Sequence, residues 1–316
     1  MKLFRAFSAL VFSFAFSAIT FAADWSPSGP ITMMIAFKAG GGADTQARLI
    51  AEELEARHGW KIVPKQVTGK GGSVLAAAIK DEPNDGSVIG IAVTETYGYN
   101  MVAAKNPGYS ASDATYLTTT SGFQMGVVAK TDKGWKSFDE VVAAAKGGQE
   151  IRFGAMSPRL ADLAYLLAKA QGIEFNIVMV KGGKGVMNGL NAGDLDIGWG
   201  AGIQAKAVRA GDMVNLLSGL TVPLAVSPDA PLMKDYGVDY DAGGHFLFVA
   251  PAGVSDEARN AIGNAIAEIA ADPDSKAGQF INKAFGGPDV IKGADLDNLM
   301  SSQAADAESL LKEASE

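Results

Sequence analysis

The chain has 316 residues, 48% of them hydrophobic and 20% charged, with no cysteine and a formal net charge of −8. That is enough chain for one large domain or two ordinary ones with a substantial core, and too few charges for wholesale disorder. Disulfides, thiolate zinc sites, iron–sulfur clusters and cysteine nucleophiles are excluded, and the acidic balance argues against nucleic acid as a partner. The first predicted element is an address. Lys2 and Arg5 precede an apolar stretch over residues 6–21, and Thr20-Phe21-Ala22 offers small residues where signal peptidase reads. The pattern predicts a secretory signal ending at Ala22, and the stretch is shorter than the about 20 residues that span a bilayer. Cleavage there removes two bases and no acid, which takes the net charge from −8 to −10.

After the signal, strand and helix patterns alternate. Residues 31–37 read as a buried strand, followed by glycines. From Asp44 the apolar positions Ala47, Ile50, Ala51 and Leu54 mark one face of a helix, with Arg57 and His58 in its last turn and Gly59 as its stop. Ile62 and Val63 begin a second strand, residues 69–72 a turn, and 74–79 a short helix. Asp85-Gly86 turns the chain into a third strand over 88–93. A strand over 123–129 follows. Ser137 and Glu140 then have capping-box spacing before a helix that runs through Lys146. Residues 151–154 read as a strand. Ser157 is the expected N-cap and Pro158 the first position of the next helix, whose stripe is Leu160, Leu163, Ala164 and Leu167 and whose stop is Gly172. Short strands are expected at 177–180, 195–197, 213–217 and 246–249, a loop at 223–244, and helices at 257–271, 275–284 and 295–311. This rhythm predicts α/β units with mostly parallel sheets and no short tandem repeat.

Enzyme signatures are missing: there is no G-x-S-x-G, H-E-x-x-H, G-x-G-x-x-G after a strand, or phosphate-binding G-x-x-x-x-G-K. His58 and His245, the two histidines, leave little for a metal site or a base. Gly40-Gly41-Gly42 lies between a strand and a helix, which fits either a tight turn or an anion cradle made of free amides at a helix N-terminus. Ala155-Met156-Ser157-Pro158-Arg159 opens the second such helix. Arg159 stands in a first turn, where the helix dipole disfavours a cation, so it is either solvated or paired with an anion. Lys38 is open to the same two readings.

In order and spacing these segments resemble the exported solute receptors of tripartite tricarboxylate transporters, the Bug family. The resemblance rests on Pro30-Ile31-Thr32, then Phe37-Lys38-Ala39-Gly40-Gly41-Gly42-Ala43-Asp44, then Gln66 with Gly69-Lys70-Gly71-Gly72. It continues through Asp85-Gly86, Val180-Lys181-Gly182-Gly183, residues 193–200, and Ala250-Pro251-Ala252-Gly253. It covers residues 28–316. It implies a type II periplasmic-binding-protein fold, two α/β lobes with a ligand cleft between them: lobe one at 24–122 plus 246–316 and lobe two at 123–245. It further implies that a carboxylate is gripped by backbone amides of the two strand-to-helix loops. The chain departs from the family where Ser157, Pro158 and Arg159 fill a shorter second loop, and where Gly200-Ala201 replaces a polar pair. Val180 stands in place of a tyrosine, and His245 in place of an aromatic.

The expected ligand contacts are therefore Phe37, Lys38, Ala39, Gly40, Gly41 and Gly42, with Asp44 holding their loop. Thr94 follows the third strand, Ser157, Arg159 and Asp162 open the second loop and helix, and Tyr97 and Trp199 offer an apolar wall. His245 is read either as a protonatable group at the cleft or as a packed or surface histidine. The function implied by the resemblance is extracytoplasmic capture of a di-, tri- or aromatic carboxylate and its delivery to integral-membrane permease subunits. Such a receptor is a periplasmic monomer with no catalytic residue, cofactor or metal. An exported enzyme acting on a small organic acid, and a sensor presenting ligand to a signalling kinase, are the rival readings.

Overall fold

The computed structural model describes residues 25–315, so the predicted signal at 1–22 lies outside the described residues. Two five-stranded sheets organise the chain. The first contains β1 (Ile31–Ile35), β2 (Ile62–Gln66), β3 (Val88–Val93) and β4 (Ala114–Gly122). The second contains β5 (Met125–Lys130), β6 (Arg152–Ala155), β7 (Asn176–Met179), β8 (Ile197–Ala201) and β9 (Met213–Ser218). The last strand, β10 (His245–Pro251), returns to the first sheet. The orders are β2-β1-β3-β10-β4 and β7-β6-β8-β5-β9.

In each sheet four strands run one way, as the expectation of mostly parallel sheets has it, and one runs against them. β1 is parallel to β2 and β3, and β6 to β7 and β8. β10, however, is antiparallel to β3 and β4, and β5 is antiparallel to β8 and β9. The antiparallel strands are the two that the chain forms directly after passing from one sheet to the other. They arrive without a crossover helix, and only such a helix commits a strand to the parallel direction. Each sheet with its helices makes one lobe, and both lobes follow the same plan.

The helices begin and end where local chemistry predicts. α1 (Gly42–His58) buries Ala47, Ile50, Ala51 and Leu54 and ends on Gly59, whose φ of +69° is the left-handed conformation that glycine adopts without strain. After α2 (Ser73–Ile79), two single turns, α3 (Thr94–Tyr97) and α4 (Tyr99–Val102), follow β3 directly. At α5 (Phe138–Lys146) the expected capping box is not made. Ser137 is the N-cap residue but its side chain caps nothing, while the Glu140 carboxylate accepts from the Lys136 amide at 2.5 Å. α6 (Pro158–Gln171) is capped as expected, the Leu160 amide donating to Ser157 Oγ at 3.3 Å. α7 (Gly182–Ala192) and α8 (Ala205–Ala210) follow β7 and β8. The tail forms α9 (Asp256–Ala271), α10 (Lys276–Phe285) and α11 (Gly293–Ser315), which packs on α3, α4 and α6.

β4 escapes the hydrophobic pattern because its centre is Thr118-Thr119-Thr120-Ser121, all of it buried. β-branched threonines suit a strand once their hydroxyls find partners. Thr119 Oγ1 donates to the Asp289 carbonyl at 2.7 Å and accepts from the Ile291 amide at 2.7 Å. Thr120 Oγ1 donates to Gln46 Oε1 at 2.6 Å. The same 289–291 segment bonds to the backbone of β4 and so covers an otherwise open sheet edge. No helix among the described residues is long and apolar enough to cross a membrane.

Candidate functional site

Three helix starts converge on a chamber between the lobes. α1 begins at Gly42, α6 at Pro158 and α7 at Gly182, and the residues at each start line a cavity of about 60 Å³. A helix leaves its first amides without internal acceptors, and its dipole makes that end positive. Gly42 and Ala43 bring the first α1 amides to the chamber, the Gly41 amide being bonded to the Lys38 carbonyl at 3.1 Å, and Gly182, Gly183 and Lys184 bring those of α7. The close fit at Gly42 explains the absence of a side chain: a Cβ there would stand 2.8 Å from the Phe285 ring. A larger vestibule of about 460 Å³ adjoins, lined by Lys70, Asn100 and Lys181 among others, with Phe37 and Lys38 shared between the two spaces.

The glycine loop is held from below. Asp44 is buried and its carboxylate accepts from the Gly40 amide at 2.9 Å, from Arg48 Nε at 2.9 Å and from Gln66 Nε2 at 2.5 Å. Its charge is thus matched inside the lobe, and it does not line the chamber. Gly40 takes φ +74° to make the turn, and Gly41 keeps an extended conformation at φ −82°. Ala39 and Gly40 are exposed loop residues outside the chamber lining.

Of the expected contacts, Phe37, Lys38, Gly41, Gly42 and Ser157 do line the chamber. Five others do not. Trp199 is fully buried in the second lobe, where it donates Nε1–H to the Leu160 carbonyl at 2.7 Å and packs on Phe153. Tyr97 is buried edge-on between Tyr109 and Tyr116, and burial pushes its hydroxyl well above the ordinary range. Thr94 accepts from the His245 amide at 3.2 Å. Arg159 donates to the carbonyls of Gly243, at 2.7 Å, and Asp241, tying α6 to the segment that leads into β10. Asp162 accepts from the Tyr99 hydroxyl across the lobes. The positions adjoin loops of the right kind, but their side chains point into the lobes or along the interface. His245 also lies off the chamber, with Nε2 at 2.8 Å from Asp289 Oδ2.

Sequence reading missed two features of the site. One is α7, hidden because Gly182, Gly183, Gly185 and Gly189 give it low helix propensity. Its apolar Val186, Met187 and Leu190 were the available signal. The other is Glu95, a buried acid in the chamber wall, whose Oε1 accepts from Ser157 Oγ at 2.9 Å. The remaining wall is apolar, built on Phe123, Phe246 and Phe285, whose successive ring centroids are 4.8 Å apart.

Residues 46–313 match the family described as the tripartite tricarboxylate transporter family receptor, TctC. A UPF0065 protein of Agrobacterium vitis is 27% identical over 262 residues, covering 80% of this chain and 74% of that one. MatC from Rhodopseudomonas palustris with bound malate superposes with a TM-score of 0.79 at 18% identity, covering 90% of this chain and 99% of that one. The periplasmic binding protein BugD gives a TM-score of 0.81 at 20% identity, covering 92% of this chain and 99% of its own.

Proposed function

The chain belongs to the tripartite tricarboxylate transporter receptor family, and from that premise we propose that it is the extracytoplasmic receptor for a small organic anion, a di-, tri- or aromatic carboxylate. The family consists of solute receptors, not catalysts, so its members bind ligand without turning it over. The observation that carries the ligand class is the convergence of the α1, α6 and α7 starts on one chamber, because aligned dipoles and the first amides of α1 and α7 favour a carboxylate there. Lys38, Lys181 and Lys184 add positive charge around the same space. The solved relative with malate supports the same class.

Magnitudes fit reversible capture. A micromolar dissociation constant corresponds to about −8 kcal/mol. Three or four charge-assisted hydrogen bonds of about 1.5–3 kcal/mol each reach that value before ordering costs are subtracted. The lobes are proposed as 24–122 plus 246–316 and 123–245, supported by the way each sheet gathers its strands. The signal-like start supports release into the periplasm, where the receptor works as a monomer and hands its ligand to integral-membrane permease subunits. A thermal-shift screen over di-, tri- and aromatic carboxylates, followed by calorimetry, tests the reading. A saturable melting shift with at least one of these acids is expected, and no response to any of them overturns it.

A further inference from the structure

Glu95 is an acid in the chamber that a bare carboxylate ligand does not explain. It follows β3 directly, is 7% exposed, and lines the same space as Gly41, Gly42 and Ser157. Ser157 Oγ accepts from the Leu160 amide, which directs its own proton to Glu95 Oε1. Among the described residues that is the one hydrogen bond the Glu95 carboxyl receives. Arg159 acts on it through space, but its guanidinium donates to the Gly243 and Asp241 carbonyls instead. Tyr99, the other titratable group felt at this point, has its hydroxyl bonded to Asp162. The chamber lysines, Lys38, Lys181 and Lys184, are solvent-exposed, whereas Glu95 sits among Val93, Phe123 and Phe246. A buried carboxylate needs an opposite charge or several donors. Burial pushes Glu95 above the ordinary carboxylate range, and Arg159 and Ser157 only partly oppose this.

A diacid in this chamber would set a second anion against Glu95. A ligand that carries an ammonium resolves the mismatch, because N–H donors and positive charge then meet the carboxylate that lacks them. We infer that Glu95 is a specificity-determining residue that receives an amino group, so that the ligand is an amino-bearing carboxylate. Its carboxylate meets the glycine-loop amides, its amine meets Glu95, and its short apolar body lies against the phenylalanines. This assignment rests on the reading of the chamber as a carboxylate site.

The test is calorimetry at neutral pH on matched pairs: adipate against aminohexanoate, succinate against aminobutanoate, and phenylpropanoate against phenylalanine. Each is measured with the wild type and with Glu95→Gln, which keeps the shape and an acceptor for Ser157; the ligand-free melting temperature checks that the variant is folded. The amino member of at least one pair is expected to bind the wild type about tenfold tighter or more, and Glu95→Gln is expected to erase that preference. If the plain acids bind as tightly in every pair, or if the variant keeps the preference, the Glu95 assignment falls while the carboxylate-receptor reading stands. Diacid binding that tightens on acidification in the wild type alone also overturns the assignment, because Glu95 would then serve as a neutral donor. If no compound of the panel binds the wild type, the Glu95 assignment falls, and the receptor reading is decided by the wider carboxylate screen.

Discussion

Arg159 and Asp196 show how one kind of contact holds backbone rather than ligand. The Arg159 guanidinium is half-buried and bridges the start of α6 to the carbonyls of Gly243 and Asp241. Pairing with an anion is the sharper of its two sequence readings, and these bonds argue against it. Arg159→Ala is expected to lower stability by about 1–2 kcal/mol and to change binding of monoacids and diacids equally, measured by urea unfolding and calorimetry. A selective loss for diacids would restore the ligand role. Asp196 is buried at the start of β8 and accepts from Arg152 Nε and Nη2 at 2.9 and 3.0 Å and from Lys133 Nζ at 2.5 Å. Burial alone would raise its pKa, but the bonds from Arg152 and Lys133 outweigh it and hold the carboxyl well below its ordinary value of 3.8. A carboxyl lowered on folding contributes its stability above that ordinary value and loses it as pH falls toward the folded one. Asp196→Asn should therefore cost about 1–3 kcal/mol at neutral pH, and the gap to the wild type should narrow below about pH 4. A gap that stays constant in urea midpoints between pH 7 and pH 3 would contradict the assigned contacts.

The strand-to-helix loop is the element on which the proposed ligand capture turns. Gly41 has φ −82° and ψ 172°, which any residue can adopt, and an added Cβ would approach only the Lys38 carbonyl, at 3.1 Å. Gly41→Val is therefore expected to fold and yet to block close approach to the α1 amides, costing about 1–3 kcal/mol in binding. Calorimetry on a variant of unchanged melting temperature checks it, and wild-type affinity would remove the loop from the site. This loop and its counterpart at Ser157 were readable in the sequence because glycines, an N-cap serine and Pro158 announce a helix start by local chemistry alone. α1 and α6 were equally readable from their apolar stripes. The third start was not, because four glycines dilute the α7 pattern. β4 was not, because a threonine run reads as loop until the 289–291 segment and Gln46 supply partners for its hydroxyls. Trp199 and Tyr97 misled for a related reason: a large aromatic beside a glycine serves a ligand wall or a core equally well, and only packing against Phe153 or Tyr109 decides.

At the scale of the whole molecule, the two sheets share one strand order and place equivalent loops, β1 to α1 and β6 to α6, on opposite sides of the chamber. A ligand held by both loops stabilises the closed arrangement by its difference in affinity between closed and open forms. Closure is also supported by contacts that need no ligand. Tyr99 of α4 donates its hydroxyl to Asp162 of α6, Ser157 of α6 donates to Glu95, and Tyr240 donates to Glu313 of α11 at 2.6 Å. Tyr99 is buried, and burial together with the Asp162 carboxylate keeps its hydroxyl protonated far above neutral pH, so the donor is constant across the physiological range. In an open form Asp162 can turn to water, so removing the hydroxyl acts mainly on the closed form. Tyr99→Phe is expected to shift the ligand-free protein toward open arrangements and to weaken ligand binding about three- to tenfold, the equivalent of about 0.7–1.4 kcal/mol. Small-angle scattering on the ligand-free variant should give a larger radius of gyration than the wild type, and the two should converge at saturating ligand. If radius and affinity both stay at wild-type values, the Tyr99–Asp162 bond does not bias closure, and the chamber is held by the loops alone.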